Sequence, residues 1–443
     1  MFRKPEPREN PAGHATDRNE PGKRVSGSRR AHIRRAFPAL QSGTVFLENA
    51  GGSQLPRQVA DRMHHYLQHS YVQLGAGYPL SQQCTRLVDA AHDFIRLFMN
   101  GSRGQVILGP SSSALLSMLS DCYAATLQPG QEIILAETGH EANLGPWKRL
   151  QRQGAKLRWW RMNPDNFQCS LADLEELLSE STALVAFPHV SNLLGEVVDI
   201  KTITAAAHRV GARVVVDGVA FAPHRIMDID GWDVDWYAYS AYKVYGPHLG
   251  ILYGRQDALA ELTGPNHFFI PDDEVPYKFE LGGVNHEGCA GLLGLSDYLQ
   301  YLIDEDLAAD VTLPQTGIQS TETCTRETVE QAGALIQDCE LALQERLVNY
   351  LLGKPAVRII GPATAVATRV ATISFVHARR SSREITRIID RSGIAIRHGH
   401  MYAYHLCEAL GLDPEDGVVR ISCVHYNTPE EIDRLLEVLD PIL

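Results

Sequence analysis

From Gly104 to Gly254 the chain alternates short apolar runs with segments whose apolar positions recur every three or four residues. The runs "QVIL", "EIILA", "ALVAF", "RVVVD", "WYAYS" and "GILYG" have the length and the β-branched and aromatic content of strands, and "ADLEELL" and "ITAAAHRVG" predict helices between them. Near-continuous apolar strands alternating with helices build a mostly parallel sheet covered on both faces, so the expected class is α/β. Ligands of such sheets lie outside the carboxyl ends of the strands. Weight therefore falls on Asp217, which ends "RVVVD", and on Ser240, which ends "WYAYS".

Beyond about Tyr301 the pattern changes. "TLPQTGIQSTETCT" is polar and Thr-rich, with Pro314 and Gly317, and predicts an exposed connection. A long helix follows, with Leu343, Leu347 and Leu351 on one face and a stop at Gly353 and Pro355. Strands "VRIIG", "ATISFV", "IAIR" and "VVRISCV", with a helix around "REITRIID" and a last helix, make an α+β region. The last helix has a clear start in Thr428 as cap, Pro429 at the first position and Glu431 closing a capping box. At the other end, "MFRKPEPRENPAGHATDRNEPGKRVSGSRR" is polar and rich in Arg, Pro and Gly, which predicts a disordered tail. It lacks the apolar segment of a secretory signal, and Glu6, Glu9, Asp17 and Glu20 are out of place in an organelle transit peptide.

Composition narrows the class further. A chain of 443 residues exceeds one ordinary core, so a large and a smaller domain are expected. At 44% hydrophobic and 21% charged, with no apolar run long enough for a bilayer, it reads as soluble and free of the membrane. A net charge of -12 argues against a nucleic-acid partner, which needs a basic stripe. Eight scattered cysteines suggest neither a disulfide framework nor a zinc knuckle, and favour a cytoplasmic setting.

The polar strand tips fit the needs of pyridoxal phosphate: a lysine for its aldehyde, an anion for its ring nitrogen, donors for its phosphate and an arginine for a substrate carboxylate. Lys243 follows a strand end and precedes "VYGPHLG", where Gly246 and Gly250 would let the backbone approach a ligand. Desolvated there, its amine would have a lowered pKa and could form a Schiff base and shuttle the Cα proton. Asp217 could face the ring nitrogen or merely cap a helix. Ser112 and Ser113 in "GPSSSALLSML" open a helix and could cradle a phosphate or serve as a plain N-cap. His140 in "ETGHEANLGPW" could stack on the ring or be structural. Arg420 sits inside "VVRISCV", where a guanidinium must find an anion.

From about Phe46 onward, "FLENAGGSQLP", "SSSALLS", "GHEANLGPW", "HVSNLLGEVVDI", "VVVDGVAFAPH", "SAYKVYGPHLGILYG", "FELGGVNHE" and "VVRISCVHYNT" occur in a family order and at compatible spacing. In this the chain resembles pyridoxal-phosphate enzymes of aminotransferase class V, the fold-type I group of cysteine desulfurases, selenocysteine lyases and isopenicillin-N-epimerase-like proteins. The resemblance implies a large, mostly parallel α/β domain at 61–305 and a small α+β domain at 327–443. It also implies a tail at 1–35, a segment at 36–60 packing on the small domain and a polar connection at 306–326. It makes Lys243 the Schiff-base lysine, Asp217 the ring-nitrogen partner and His140 the stacking residue. Asn192 becomes a donor near the phenolic oxygen or the substrate carboxylate, Ser240, Ser112 and Ser113 the phosphate holders, and Arg420 the carboxylate clamp. Arg397 and His400 fall near the substrate mouth. The "GGVN" loop, with Gly283, implies a homodimer whose sites are completed by the partner subunit.

Departures from the desulfurase pattern narrow the expected activity. The position resembling the persulfide cysteine is Tyr402, while Cys407 in "YAYHLCEALGL" falls on a packed face. The usual glutamine after Asp217 is replaced near Ala220, the usual histidine before the lysine is Tyr242, and the usual loop threonine is Gly283. Persulfide relay is therefore not expected, and amino-acid lyase chemistry through a Cα carbanion ranks first because the nearest motifs resemble those of lyases. Transamination, epimerisation and decarboxylative carbon–carbon bond formation are the alternatives, and a non-catalytic cofactor-binding partner is the alternative of a different class. A dinucleotide oxidoreductase would leave Lys243 unexplained and lacks its glycine fingerprint. His398, His400 and His405 do not have the spacing of a known metal site, so no metal is expected, and His65 with His69 predicts a solvated helix face.

Overall fold

In the large domain seven strands form one sheet: β1 (Gly104–Gly109), β2 (Glu132–Ala136), β3 (Lys156–Trp160), β4 (Thr182–Pro188), β5 (Arg213–Asp217), β6 (Trp236–Ser240) and β7 (Gly250–Arg255). Their order is β1-β7-β6-β5-β4-β2-β3. β7 pairs antiparallel with both neighbours, and the remaining pairs are parallel. The structure is a computed structural model that describes residues 25–307, 309 and 324–443.

Alternation along each strand feeds two cores. In β5, Val214 and Val216 enter one apolar cluster and Val215 the other, and in β2, Ile134 and Ile133 divide in the same way. Helices Arg57–His69, Pro79–Met99 and His286–Ile303 supply the first cluster, and Ser112–Ala124 supplies the second. All six strands predicted from apolar runs form. The edge strand β3, "KLRWW", carried no such signal, because an edge tolerates charges that a central strand excludes.

The small domain holds a four-stranded antiparallel sheet, β8 (Val357–Ile360), β9 (Thr372–His377), β10 (Arg397–Gly399) and β11 (Val418–Ser422), in the order β10-β11-β9-β8. Its core receives Leu343, Leu347 and Leu351 from the helix Arg326–Leu352, as the spacing predicts. The capping box of Thr428 and Glu431 forms. Val45–Phe46 pairs in parallel with Ile394–Ala395, and Val45 and Leu47 join this core.

The expected tail needs correction. Residues Gly27–Arg35 are a helix, capped by Ser26, whose hydroxyl accepts from the Arg29 N–H. Buried Arg30 donates to the carbonyls of Asn427 (2.9 Å) and Cys339 (3.2 Å), and Ile33 enters the large core. A basic composition hid a segment whose guanidinium groups satisfy backbone carbonyls. Residues 1–24 of that tail, and 308 and 310–323 of the polar connection, lie outside the described residues. Among the described residues no helix is long and apolar enough to cross a membrane.

Candidate active site

The carboxyl edge of the large sheet gathers the segments following β2, β4, β5 and β6 beside the start of the helix Ser112–Ala124. A cavity of about 640 Å³ opens there between the two domains, and a narrow recess of about 60 Å³ leads inward from it. Both are lined by Ser113, His140, Asn192, Tyr242 and Lys243. Asp217, Ser112 and Ser240 line the recess alone, and Arg397 and Arg420 the outer cavity.

Lys243 ends the short 3-10 turn Ala241–Lys243 after β6. Burial, then the nearby Arg420 charge, pulls its amine down to about 8. Asp217 is 5% exposed, and burial raises its pKa, against the Val219 N–H that its Oδ1 accepts at 3.0 Å and against the Lys243 charge. Among the described residues no cation comes within ion-pair distance of it. A buried carboxylate short of a cation fits a protonated ring nitrogen. His140 accepts from the Ala142 N–H through Nδ1 at 3.0 Å, and burial, with Lys243 and Arg420, lowers it to about 4, so its ring is neutral.

Ser111, rather than Ser112 or Ser113, caps the helix, its hydroxyl accepting from the Ala114 N–H at 3.1 Å. Ser112 and Ser113 thus sit in the first turn, where N–H groups lack intrahelical acceptors. Ser112 Oγ lies 2.7 Å from Ser240 Oγ, joining the helix start to the tip of β6. Tyr242 stacks on His248 at 4.9 Å. The expectation for Gly250 is corrected: a Cβ there would meet the Ser111–Ser112 peptide, so this glycine lets β7 pass under the helix start rather than under a ligand.

Arg420, on β11, is 3% exposed and has no carboxylate within ion-pair distance among the described residues. Its Nη1 donates to the Asn192 carbonyl at 3.3 Å, while Nε is buried without a partner. Burial brings its pKa down to about 10. Strand register sets Arg397 opposite Arg420, and Arg397 Nε reaches Glu48 Oε1 at 2.6 Å. Asn192 donates to the Met401 carbonyl at 2.8 Å, and its Oδ1 is buried and unpartnered. Buried polar atoms of this kind, at the wall of a cavity, are ones that a bound ligand would satisfy.

The structure separates some expected residues from the cavity. His400 does not line it; its Nδ1 accepts from the Tyr402 N–H at 3.0 Å. Gly283, with a φ of 91°, lies on a loop away from the cavity of its own chain. His405 meets Lys148 at 2.8 Å, and among the described residues no cluster of three or more metal-ligating side chains forms. His65 and His69 stack at 4.5 Å. Cys407 is fully buried, its thiol pushed up to about 11 by burial. Glu48, Arg149 and Met401 were missed: no local pattern marks them, and only tertiary proximity brings them to the site.

A family model, Aminotransferase class-V, matches residues 45–316 and 327–435. An aminotransferase-like protein of Gibberella zeae, FGM3, is 36% identical over 422 residues, spanning 93% of this chain and 98% of that protein. A probable cysteine desulfurase of Streptomyces coelicolor is 31% identical over 439 residues, spanning 93% and 96%. The cysteine desulfurase CsdA of Escherichia coli superposes with a TM-score of 0.76 at 25% identity over 93% of this chain and 98% of its own.

Proposed function

This chain belongs to the aminotransferase class-V family and is a pyridoxal-phosphate-dependent enzyme, and on that footing we propose that it is an amino-acid lyase acting at Cα and Cβ without a persulfide relay. One observation carries the reading: none of the eight cysteines lines the cavity, where Tyr402 and Met401 stand instead. Seven are buried, and the partly exposed Cys169 has its thiol pushed up to about 12 by burial.

Bound pyridoxal phosphate supplies an electron sink for the pair released at Cα. In this reading Lys243 holds the cofactor aldehyde and then moves the Cα proton, for which a lowered pKa suits it. Asp217 holds the ring nitrogen's proton, neutral His140 packs against the ring, and Ser112, Ser113 and Ser240 hold the phosphate. Tyr242 flanks that phosphate. Arg420 binds the substrate carboxylate through its fork of donors, with Arg397 and Asn192 beside it.

A second reading, amino transfer, is favoured by the name of the Gibberella zeae relative. The visible spectrum of the purified protein, taken with a panel of L-amino acids that includes cysteine S-conjugates, tests both. A cofactor band that shifts with a conjugate, with thiol and keto acid released together, supports the lyase; keto acid without thiol supports transfer; no cofactor band after reconstitution defeats both. The proposal includes a homodimer. Phe268, wholly exposed, and Phe269 and Leu281, 66% and 63% exposed, lie on the stretch leading to Gly283, and such an apolar surface suits a second copy of the chain. Eight unpaired thiols suit the cytoplasm.

A further inference from the structure

Met401 and Tyr402 are consecutive non-glycine residues in the left-handed region, with φ of 47° and 62°. A non-glycine residue there is strained and persists only where its surroundings over-determine it. Here they do: Asn192 donates to the Met401 carbonyl at 2.8 Å, the Glu141 N–H donates to the Tyr402 carbonyl at 2.8 Å, and the Tyr402 N–H donates to His400 Nδ1 at 3.0 Å. A loop of the small domain is thereby fixed to the two large-domain segments that carry Asn192 and His140. Burial of the Tyr402 ring is not the reason, since the residue is 65% exposed. Its ring stands 5.3 Å from that of His140 at the cavity mouth, and none of the described residues hydrogen-bonds its hydroxyl.

The cavity is otherwise short of proton donors. Lys243 is occupied with the cofactor and the Cα proton, His140 is held neutral by burial, and Tyr242, stacked on His248, has its hydroxyl pKa raised by burial. Glu141 is 3.9 Å from Lys148, and the cavity's arginines do not give up protons. A phenol keeps its proton at neutral pH and can both donate and accept.

We propose that Tyr402 is a catalytic residue, the general acid that protonates the group expelled from Cβ. The step rests on the lyase reading. The electron pair at Cα forms the Cα–Cβ double bond, the Cβ–X bond breaks with its pair going to X, and X takes the Tyr402 proton; the phenolate recovers one from water at the mouth.

The test compares the wild type with Tyr402→Phe, which keeps the ring and the loop, on S-methyl-L-cysteine and S-(2,4-dinitrophenyl)-L-cysteine. General acid catalysis contributes roughly 10²–10⁴-fold. The Phe variant should therefore lose about 100-fold or more in kcat with the poor leaving group and little with the good one, with an unchanged cofactor band and unchanged band shift on substrate binding. Equal losses on both conjugates, or none, overturn the role of Tyr402 while leaving the lyase reading in place. A wild type whose band shifts but which releases no thiol from either conjugate overturns the lyase reading and this role with it.

Discussion

A buried guanidinium with no carboxylate within ion-pair distance among the described residues is costly, and Arg420 bears that cost beside a cavity. Charge-assisted hydrogen bonds are worth about 1.5–3 kcal/mol, so Arg420→Ala should weaken amino-acid binding roughly 10- to 150-fold while sparing the cofactor band. Arg420→Lys should recover only part of that loss, because an ammonium lacks the fork. Titration of the cofactor band with amino acid reads both variants. Lys243→Ala should abolish the covalently held cofactor, and a protein that keeps its band and turnover after that change would defeat the assignment. The lowered Lys243 pKa also has a sign. Only the neutral amine attacks an aldehyde, so loading of the apoprotein should accelerate as pH rises and level off above about 8, which stopped-flow absorbance can follow. Acceleration continuing toward pH ~10.4 would indicate an ordinary lysine.

At the level of elements, the site depends on how the helix Ser112–Ala124 meets β7. Gly250 opens β7 against the Ser111–Ser112 peptide, so Gly250→Ala must push the helix start away from Ser240. Overpacking of this kind costs about 1–3 kcal/mol. The expected outcome is weaker cofactor retention in equilibrium dialysis, exceeding any loss of global stability in denaturant. Equal effects on the two would mean that the contact serves the core alone. Here the sequence pointed to a ligand and the structure to another backbone, because a glycine's neighbour is set by packing and not by its own chain segment.

For the whole molecule, the cavity lies between domains, and the loop before Gly283 presents apolar side chains outward. If a second copy covers them, light scattering should give twice the chain mass, and Phe268→Glu with Leu281→Glu should shift the protein toward monomer. A wild type that stays monomeric at micromolar concentration would count against the pairing.

The sequence by itself determined the α/β class, the predicted strands and the polar residues at their tips, because strand periodicity and strand ends are local properties. Lys243, Asp217, Ser240 and His140 were legible for that reason, and the family's motif order carried Asn192 and Arg420. Tertiary structure alone decided the rest. It turned Gly27–Arg35 from tail into helix through carbonyls hundreds of residues away, and it set Arg397 beside Arg420 by strand register. It also left His400 outside the cavity lining and held Tyr402 at the mouth through hydrogen bonds from Asn192 to the Met401 carbonyl and from Glu141 to the Tyr402 carbonyl. Such placements depend on which distant segments meet, and the free energy of those meetings belongs to the folded chain and to no window of its sequence.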